Sequence, residues 1–321
     1  MAFDATQAAQ LLRTYISKRW IPALERSLQL HRFTTKVQIP PGMGAQGRVV
    51  TFSNPPASTT AITTNLGNPI DITTTGTSIT ISEYGEHMPL VGLIDYAAVP
   101  GYRDEVVKRF VHGANVAIDG LVRNALNPQT TNVMVPIVTS QAGGALVPSG
   151  TPQRMNAACV IAASKEVKDA FARGFRGIEG HVDGHYACVI GQQAELDMVT
   201  EMSTTRMTWA QAVTNVPGRL GQEKWVEGYI GSIYHTAVYE SENLTYASYS
   251  STDVTQNFLL ADGAVAAMSL GDMKPEVFVN VPSQYDIGNP FRREFTVAWY
   301  IRFGTALHDA ARSVKIYSLG S

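Results

Sequence analysis

Residues 39–51 read IPPGMGAQGRVVT, and inside them lies Gly42-Met-Gly44-Ala-Gln-Gly47, a literal G-x-G-x-x-G with an acidic residue, Asp71, downstream. A dinucleotide site would need those glycines to follow a buried parallel strand and to open a helix whose N-terminus holds the pyrophosphate. The flanks do not supply this. Lys36-Val-Gln-Ile39 alternates like a short strand, but Pro40-Pro41 then forces extended or turn backbone. Downstream, Arg48-Val-Val-Thr-Phe52 is β-branched and aromatic, and Asn54-Pro55-Pro56 stops it, so no helix can begin at Gly47. The segment reads as strand, Gly-rich turn, strand, with no cofactor.

Outward from that point, residues 36–86 are rich in Thr, Ser, Pro and Gly, with strand-like pieces at Val49–Phe52, Ile70–Thr73 and Ser78–Ile81. Large apolar side chains are too few to build a core here. The stretch therefore predicts a projecting β-arm, whose exposed edges call for cover by another chain.

Before it, residues 4–31 read as helix, with Leu12, Ile16, Trp20, Leu24 and Leu28 on one face and Pro22 as a kink or a second start. After it, residues 101–127 carry the clearest helical period. Val106, Val107, Phe110, Val111, Ala114, Ala117, Ile118, Leu121, Val122 and Ala125 form its stripe. Asp104 and Glu105 suit the first turn, and Asn127-Pro128 ends the rod at roughly 38 Å. Gly113 and Gly120 inside it suggest close packing. A Gly/Pro-rich connector (140–152) leads to a second helix, Met155–Phe175. There follow a buried strand Tyr186–Ile190, a short helix Gln192–Met202 and a strand–turn–strand unit over Trp225–Tyr239. Further strands are read at Phe258–Leu260 and Ala264–Ser269, with Phe295–Phe303 and Ser313–Tyr317 as a closing β pair. Helices and strands alternate without a βαβ rhythm, so the class is α+β.

The chain has 321 residues, 45% hydrophobic and only 16% charged, with a net charge of −2. That is ample for a core and carries no basic footprint of a dedicated nucleic-acid binder. Cys159 and Cys188 lack metal or redox spacing and read as buried free thiols. No apolar run is long enough for a membrane helix. MAFDATQAAQ has neither a basic nor an apolar signal region, which predicts a cytosolic product.

Candidate chemistry is sparse. His181-Val-Asp183-Gly-His185 is the most metal-like cluster, since alternate strand residues share a face, though Gly184 and its loop setting favour a surface turn. Glu240 and Glu242 read as solvated carboxylates, and Asn243-Leu-Thr245 as a glycosylation match without a secretory context. No catalytic motif stands out, and the predicted site residues are none: no catalytic group, no cofactor, no metal.

The order of parts resembles the major capsid (coat) protein of tailed bacteriophages and is most similar to the N4-like podophage coat family. The likeness rests on Trp20–Leu24, on PPGMGAQGRVVTF, on EYGEHMPLVGLIDYAAV (83–99) ahead of the rod helix, and on KWVEGYIGSIYHTAVYES (224–241). FLLADGAVAAMSL and FTVAWYIRFGTALHDAARSVKIYSL extend it to the end. The resemblance implies a Hong Kong 97-like fold: N-terminal arm (1–35), extended β-loop (36–86), and a peripheral domain (87–184 and 271–321) on a spine helix (101–127). The axial domain would span 185–270. It implies a non-enzymatic subunit of pentamers and hexamers in an icosahedral shell around double-stranded DNA, assembled in the bacterial host cytoplasm and located in the virion. Its partners would be itself, portal, scaffolding or decoration proteins, and DNA by weak contact, with no membrane. Hinges would fall at Pro22, Gly42–Gly47 and Gly143-Gly144. Because the arm helix begins by about residue 4, assembly would use a separate scaffold or none. The alternatives are an encapsulin-like cargo shell and a cytosolic enzyme working at the 181–185 loop.

Overall fold

A computed structural model describes residues 29–40, 44–52, 74–91, 102–137, 145–147, 150–178, 181–200, 229–270, 275–280 and 294–320. Of the arm helix expected over 4–31 only residues 29–31 are described, where Leu30–Phe33 form a 3-10 turn; the Trp20–Leu24 motif, Ile70–Thr73 and the hinge candidates Pro22, Gly42 and Gly143-Gly144 lie outside the described residues.

In chain order the strands are β1 (Thr35–Ile39), β2 (Gln46–Phe52), β3 (Thr74–Thr80), β4 (Ser82–Val91), β5 (Val133–Ile137), β6 (Ala145–Val147), β7 (Tyr186–Ile190), β8 (Tyr229–Ile233) and β9 (Thr236–Glu240). They continue as β10 (Tyr246–Tyr249), β11 (Thr252–Leu260), β12 (Val265–Leu270), β13 (Glu276–Asn280), β14 (Glu294–Leu307) and β15 (Ser313–Leu319). The helices are α1 (Tyr102–Leu126), α2 (Ala157–Asp169) and α3 (Gln192–Val199).

The smaller sheet is organised by β14. One of its edges pairs with β4 from Glu294↔Val91 to Phe303↔Ser82. The other edge takes β13 and then β12, and β1 adds to β12 in parallel. The larger sheet runs β6-β5-β15-β11-β7-β9-β8, with β10 also on β11. β2 and β3 form a separate two-stranded ribbon of seven pairs, from Gln46↔Thr80 to Phe52↔Thr74. This is an α+β fold, as the sequence predicts.

Helix α1 forms where its stripe predicts. Ala114, Ile118, Val122 and Leu126 are buried at fourfold spacing, against Val265, Ala267, Trp299, Ile301 and Phe303 of the smaller sheet. The same cluster takes one face of the larger sheet through Ala187, Val189, Ala237, Tyr239, Phe258 and Leu260. The other face, with Cys188, Ile190, Val238, Leu259, Val314 and Ile316, packs on α2 and α3. β7 is therefore buried on both sides, which is why YACVI is apolar without alternation. Asn156 caps α2 by accepting from the Cys159 N–H at 3.0 Å.

Several expectations need correction. β1 and β2 flank the Gly-rich turn but do not pair with each other. β1 joins the body beside β12, and β2 pairs only with β3. Phe295–Phe303 and Ser313–Tyr317 are not a β pair either, because β14 and β15 lie in different sheets. A 3-10 turn, Ala310–Arg312, redirects the chain between them, capped by Asp309, whose carboxylate accepts from the Ala311 N–H. Gln129 then pins the redirected strand, donating to the Ser313 carbonyl at 3.0 Å and accepting from its hydroxyl at 3.1 Å. Helix α2 stops at Asp169 rather than Phe175, since Phe171 takes a left-handed φ of 56°. A Cβ on Gly113 would meet nothing within 4 Å, so close packing does not explain that glycine. Each sheet draws on segments far apart in the chain. Val265–Leu270 belongs to the smaller sheet, and Val133–Ile137, Ala145–Val147 and Ser313–Leu319 to the larger.

Candidate functional site

The ribbon departs most from an ordinary globular surface. Along β2 exposed and half-buried residues alternate, so neither face is a core face. Val50 is 44% and Phe52 68% exposed. Apolar cover exists at the root, where Ile39, Ile79, Ile81, Ala266 and Met268 cluster. Two close approaches fix that root. A Cβ on Gly47 would stand 2.4 Å from Met268 Sδ, and one on Gly304 of β14 would stand 2.4 Å from the Thr80 carbonyl oxygen. Gly44, in the Gly-rich stretch, carries a left-handed φ of 86°. The chain continues past Gly47 as strand, so the dinucleotide fingerprint has no helix to open.

Farther out, His308 ties both ribbon strands to the body. Its Nε2 contacts the Thr51 hydroxyl, and its Nδ1 lies 3.2 Å from Thr77 Oγ1. The Thr77 hydroxyl donates to the His308 carbonyl at 3.4 Å. That pattern suits a neutral imidazole donating from Nδ1 and accepting at Nε2. Burial depresses the His308 pKa, Arg312 adds to this, and Asp309 opposes it.

A second constellation lies where the chain enters the body. Asp119, buried on α1, accepts from the Leu30 N–H at 2.8 Å, and also bonds the His31 backbone and the Asn243 side chain. Arg123, one turn on, donates to the Asn243 carbonyl at 2.8 Å and to its Oδ1 at 3.2 Å. Asn243 Nδ2 returns a bond to the Val116 carbonyl at 2.9 Å. The cluster joins residues 29–31, the long helix and the β9–β10 turn of the larger sheet. Burial pushes the Asp119 carboxyl up to about 6, against those bonds and the Arg123 charge. Burial, then Lys36, pushes His31 down to about 3, so it stays neutral against Phe303. Sequence reasoning missed both groups, as it missed His308.

The 181–185 loop has other work. His181 is buried, with Nδ1 2.8 Å from Tyr239 Oη and Nε2 3.0 Å from the His185 carbonyl, and its ring meets Phe33 and Phe175. Asp183 accepts from the Gly177 N–H at 2.8 Å. Among the described residues no three His, Cys, Asp or Glu side chains gather as metal ligands. Cys159 and Cys188 are buried free thiols, and burial, then Cys159, pushes Cys188 up to about 12, so it stays protonated. Glu242 is exposed, but Glu240 is half-buried and hydrogen-bonded to Glu195. Asn243 is held in the Asp119 cluster. No helix among the described residues is long and apolar enough to cross a membrane.

No protein-family model and no curated protein sequence matches the chain. Solved structures do. The capsid of Ralstonia phage GP4 superposes with a TM-score of 0.68 at 12% identity, covering 92% of each chain. The acidic stable capsid of Helicobacter pylori bacteriophage KHP30 gives 0.61 at 10% identity over 91% of both. The capsid of the cyanophage P-SCSP1u gives 0.57 at 12% identity over 92% of this chain and 89% of that one. The chain thus has the Hong Kong 97-like fold of these phage capsids.

Proposed function

We propose that this chain is the major capsid protein of a tailed bacteriophage, a structural subunit without catalytic activity. It self-assembles into pentamers and hexamers of an icosahedral shell that encloses double-stranded DNA. The observation that carries this is the pairing of a whole-chain match to capsid folds with a ribbon that has no core of its own. A two-stranded ribbon is marginal in water unless something covers it. A neighbouring copy provides that cover, and repetition by symmetry turns many weak contacts into a stable shell.

In this reading residues 46–80 are the extended loop, rooted at Ile79 and steadied by His308. The smaller sheet with α1 is the peripheral domain, and the larger sheet with α2 and α3 the axial domain. Residues 1–35 are the arm, held to the body by the Asp119 bonds to Leu30 and His31. The sequence motifs at 20–24, 83–99 and 224–241 support kinship with the N4-like podophage coat proteins. Near-neutral charge fits a shell that holds DNA without gripping it, since each phosphate contact adds salt-dependent affinity. Portal, scaffolding and decoration proteins are the further partners, and the virion is the location.

The test is sedimentation of the purified chain with negative-stain microscopy. Closed shells or rings of many copies are expected. A chain that stays monomeric at every concentration, with scaffolding protein supplied as well as without it, would overturn the assignment.

A further inference from the structure

Strands β7 and β9 run parallel, from Tyr186 beside Thr236 to Ile190 beside Glu240. Their two ends carry different chemistry. At the first end sit the β8–β9 turn, Tyr234-His235, and the C-terminus of α2. The Tyr186 hydroxyl donates to the Ala172 carbonyl and holds these together. Phe171 is 91% and Tyr234 51% exposed, and the Lys168 ammonium lies 5.9 Å from the centre of the Tyr234 ring. The His185 and His235 rings lie 5.6 Å apart beside them. Phe171, Tyr234 and His235 have φ of 56°, 43° and 60°. Left-handed backbone costs about 1–2 kcal/mol for each such residue. Tyr234-His235 make the two-residue β8–β9 hairpin turn and Phe171 closes the C-terminus of α2, so large rings stand at exposed left-handed positions where Gly or Asn is usual.

At the other end α3 follows β7. Glu195 in its first turn is hydrogen-bonded to Glu240, the last residue of β9. Burial raises the Glu195 pKa, and the Glu240 charge and hydrogen bond raise it further. Leu196 and Val199 are both 54% exposed beside it, and Glu242 is exposed. Asp197 of the same helix has Arg154 3.9 Å away.

One end thus offers aromatic rings with an ammonium, and the other aliphatic side chains with a carboxylate pair. They stand about 13 Å apart, the length of the strands between them. Complementary patches at opposite ends of one chain make head-to-tail contacts, which close into rings when the rotation allows. We infer that the Lys168–Phe171–Tyr234 end of one copy seats on the Glu195–Leu196–Val199–Glu240 end of the next copy in the ring. This contact rests on the assembly reading. Lys168 brings a cation between the two carboxylates, and Phe171 and Tyr234 cover Leu196 and Val199.

The test is a charge exchange. Three proteins are made: Lys168→Glu, Glu195→Lys with Glu240→Lys, and all three changes together. Thermal melts establish that each is folded, and sedimentation gives the assembled fraction. Each one-sided reversal is expected to lower that fraction at least about tenfold, and the combined protein to recover most of it. A Phe171→Cys, Leu196→Cys protein is expected to give a ladder of disulfide-linked multimers on oxidation. Reversals that leave shells at the wild-type level, as when a different protein uses these patches, would overturn the contact while the shell assignment stands. Failure of the combined protein to recover, or of the ladder to form, would overturn it too. A wild-type chain that never associates, with scaffolding protein supplied as well as without it, would overturn both.

Discussion

Replacing Asp119 by Asn removes a charge from the junction of α1 with residues 29–31 while keeping an oxygen that accepts from Leu30. In the folded chain burial raises this carboxyl from 3.8 to about 6. A raised carboxyl pKa means that the folded state binds the proton more tightly than the unfolded one. The stabilisation is therefore complete below about pH 4 and is lost as pH rises through 6. A difference of about 2 in pKa at about 1.4 kcal/mol each gives about 3 kcal/mol for Asp119 between those limits. Urea melts of the unassembled chain at intervals from pH 4 to 7.5 measure it. In the wild type this carboxyl should lower stability across the window. In Asp119→Asn that component should vanish, making the variant more stable relative to wild type as pH rises, by up to about 3 kcal/mol. Asp119→Ala should instead be destabilised at every pH, because two buried N–H groups lose their acceptor at about 1–3 kcal/mol each. Parallel pH profiles for wild type and Asp119→Asn would refute the reasoning.

Gly113→Ala should raise the melting temperature, since the new methyl meets open space and the helix gains about 0.5–1 kcal/mol. Gly304→Ala should lower stability by more than about 2 kcal/mol and detach the ribbon root, because its Cβ would meet the Thr80 carbonyl at 2.4 Å, as circular dichroism melts would show. His308→Ala should leave global stability within about 1 kcal/mol while speeding hydrogen exchange over 46–52 and 74–80, and unchanged exchange there would remove its role as a tie. Phe52→Asp should leave the monomer's melt unchanged within about 0.5 kcal/mol, yet abolish shells in the microscope.

The parts most legible in the sequence obey a local period. Ala114, Ile118, Val122 and Leu126 announce the α1 face, and Tyr186–Ile190 announces a strand buried on both sides. The misread parts depend on distant partners. Asp119 looks like an ordinary polar helix position, and its significance comes from Leu30, 89 residues earlier. His308 acquires its partners from strands that begin more than two hundred residues before it. Neighbouring strands usually pair, which favoured joining β14 to β15 and β1 to β2. The Asp309 cap with the Gln129 clamp, and the β12 edge, send those strands elsewhere. The 181–185 histidines resemble ligands because spacing alone does not reveal that Tyr239 and a backbone carbonyl occupy His181.

β15 lies between β5 and β11, in the interior of the larger sheet, although in chain order it comes after every other described strand. That sheet cannot close on a nascent chain until residues 313–319 have left the ribosome. Synthesis through residue 319 therefore precedes completion of that sheet, and the long-range pairing makes the final step slow. A chain still being translated would lack the strand that joins β5 to β11.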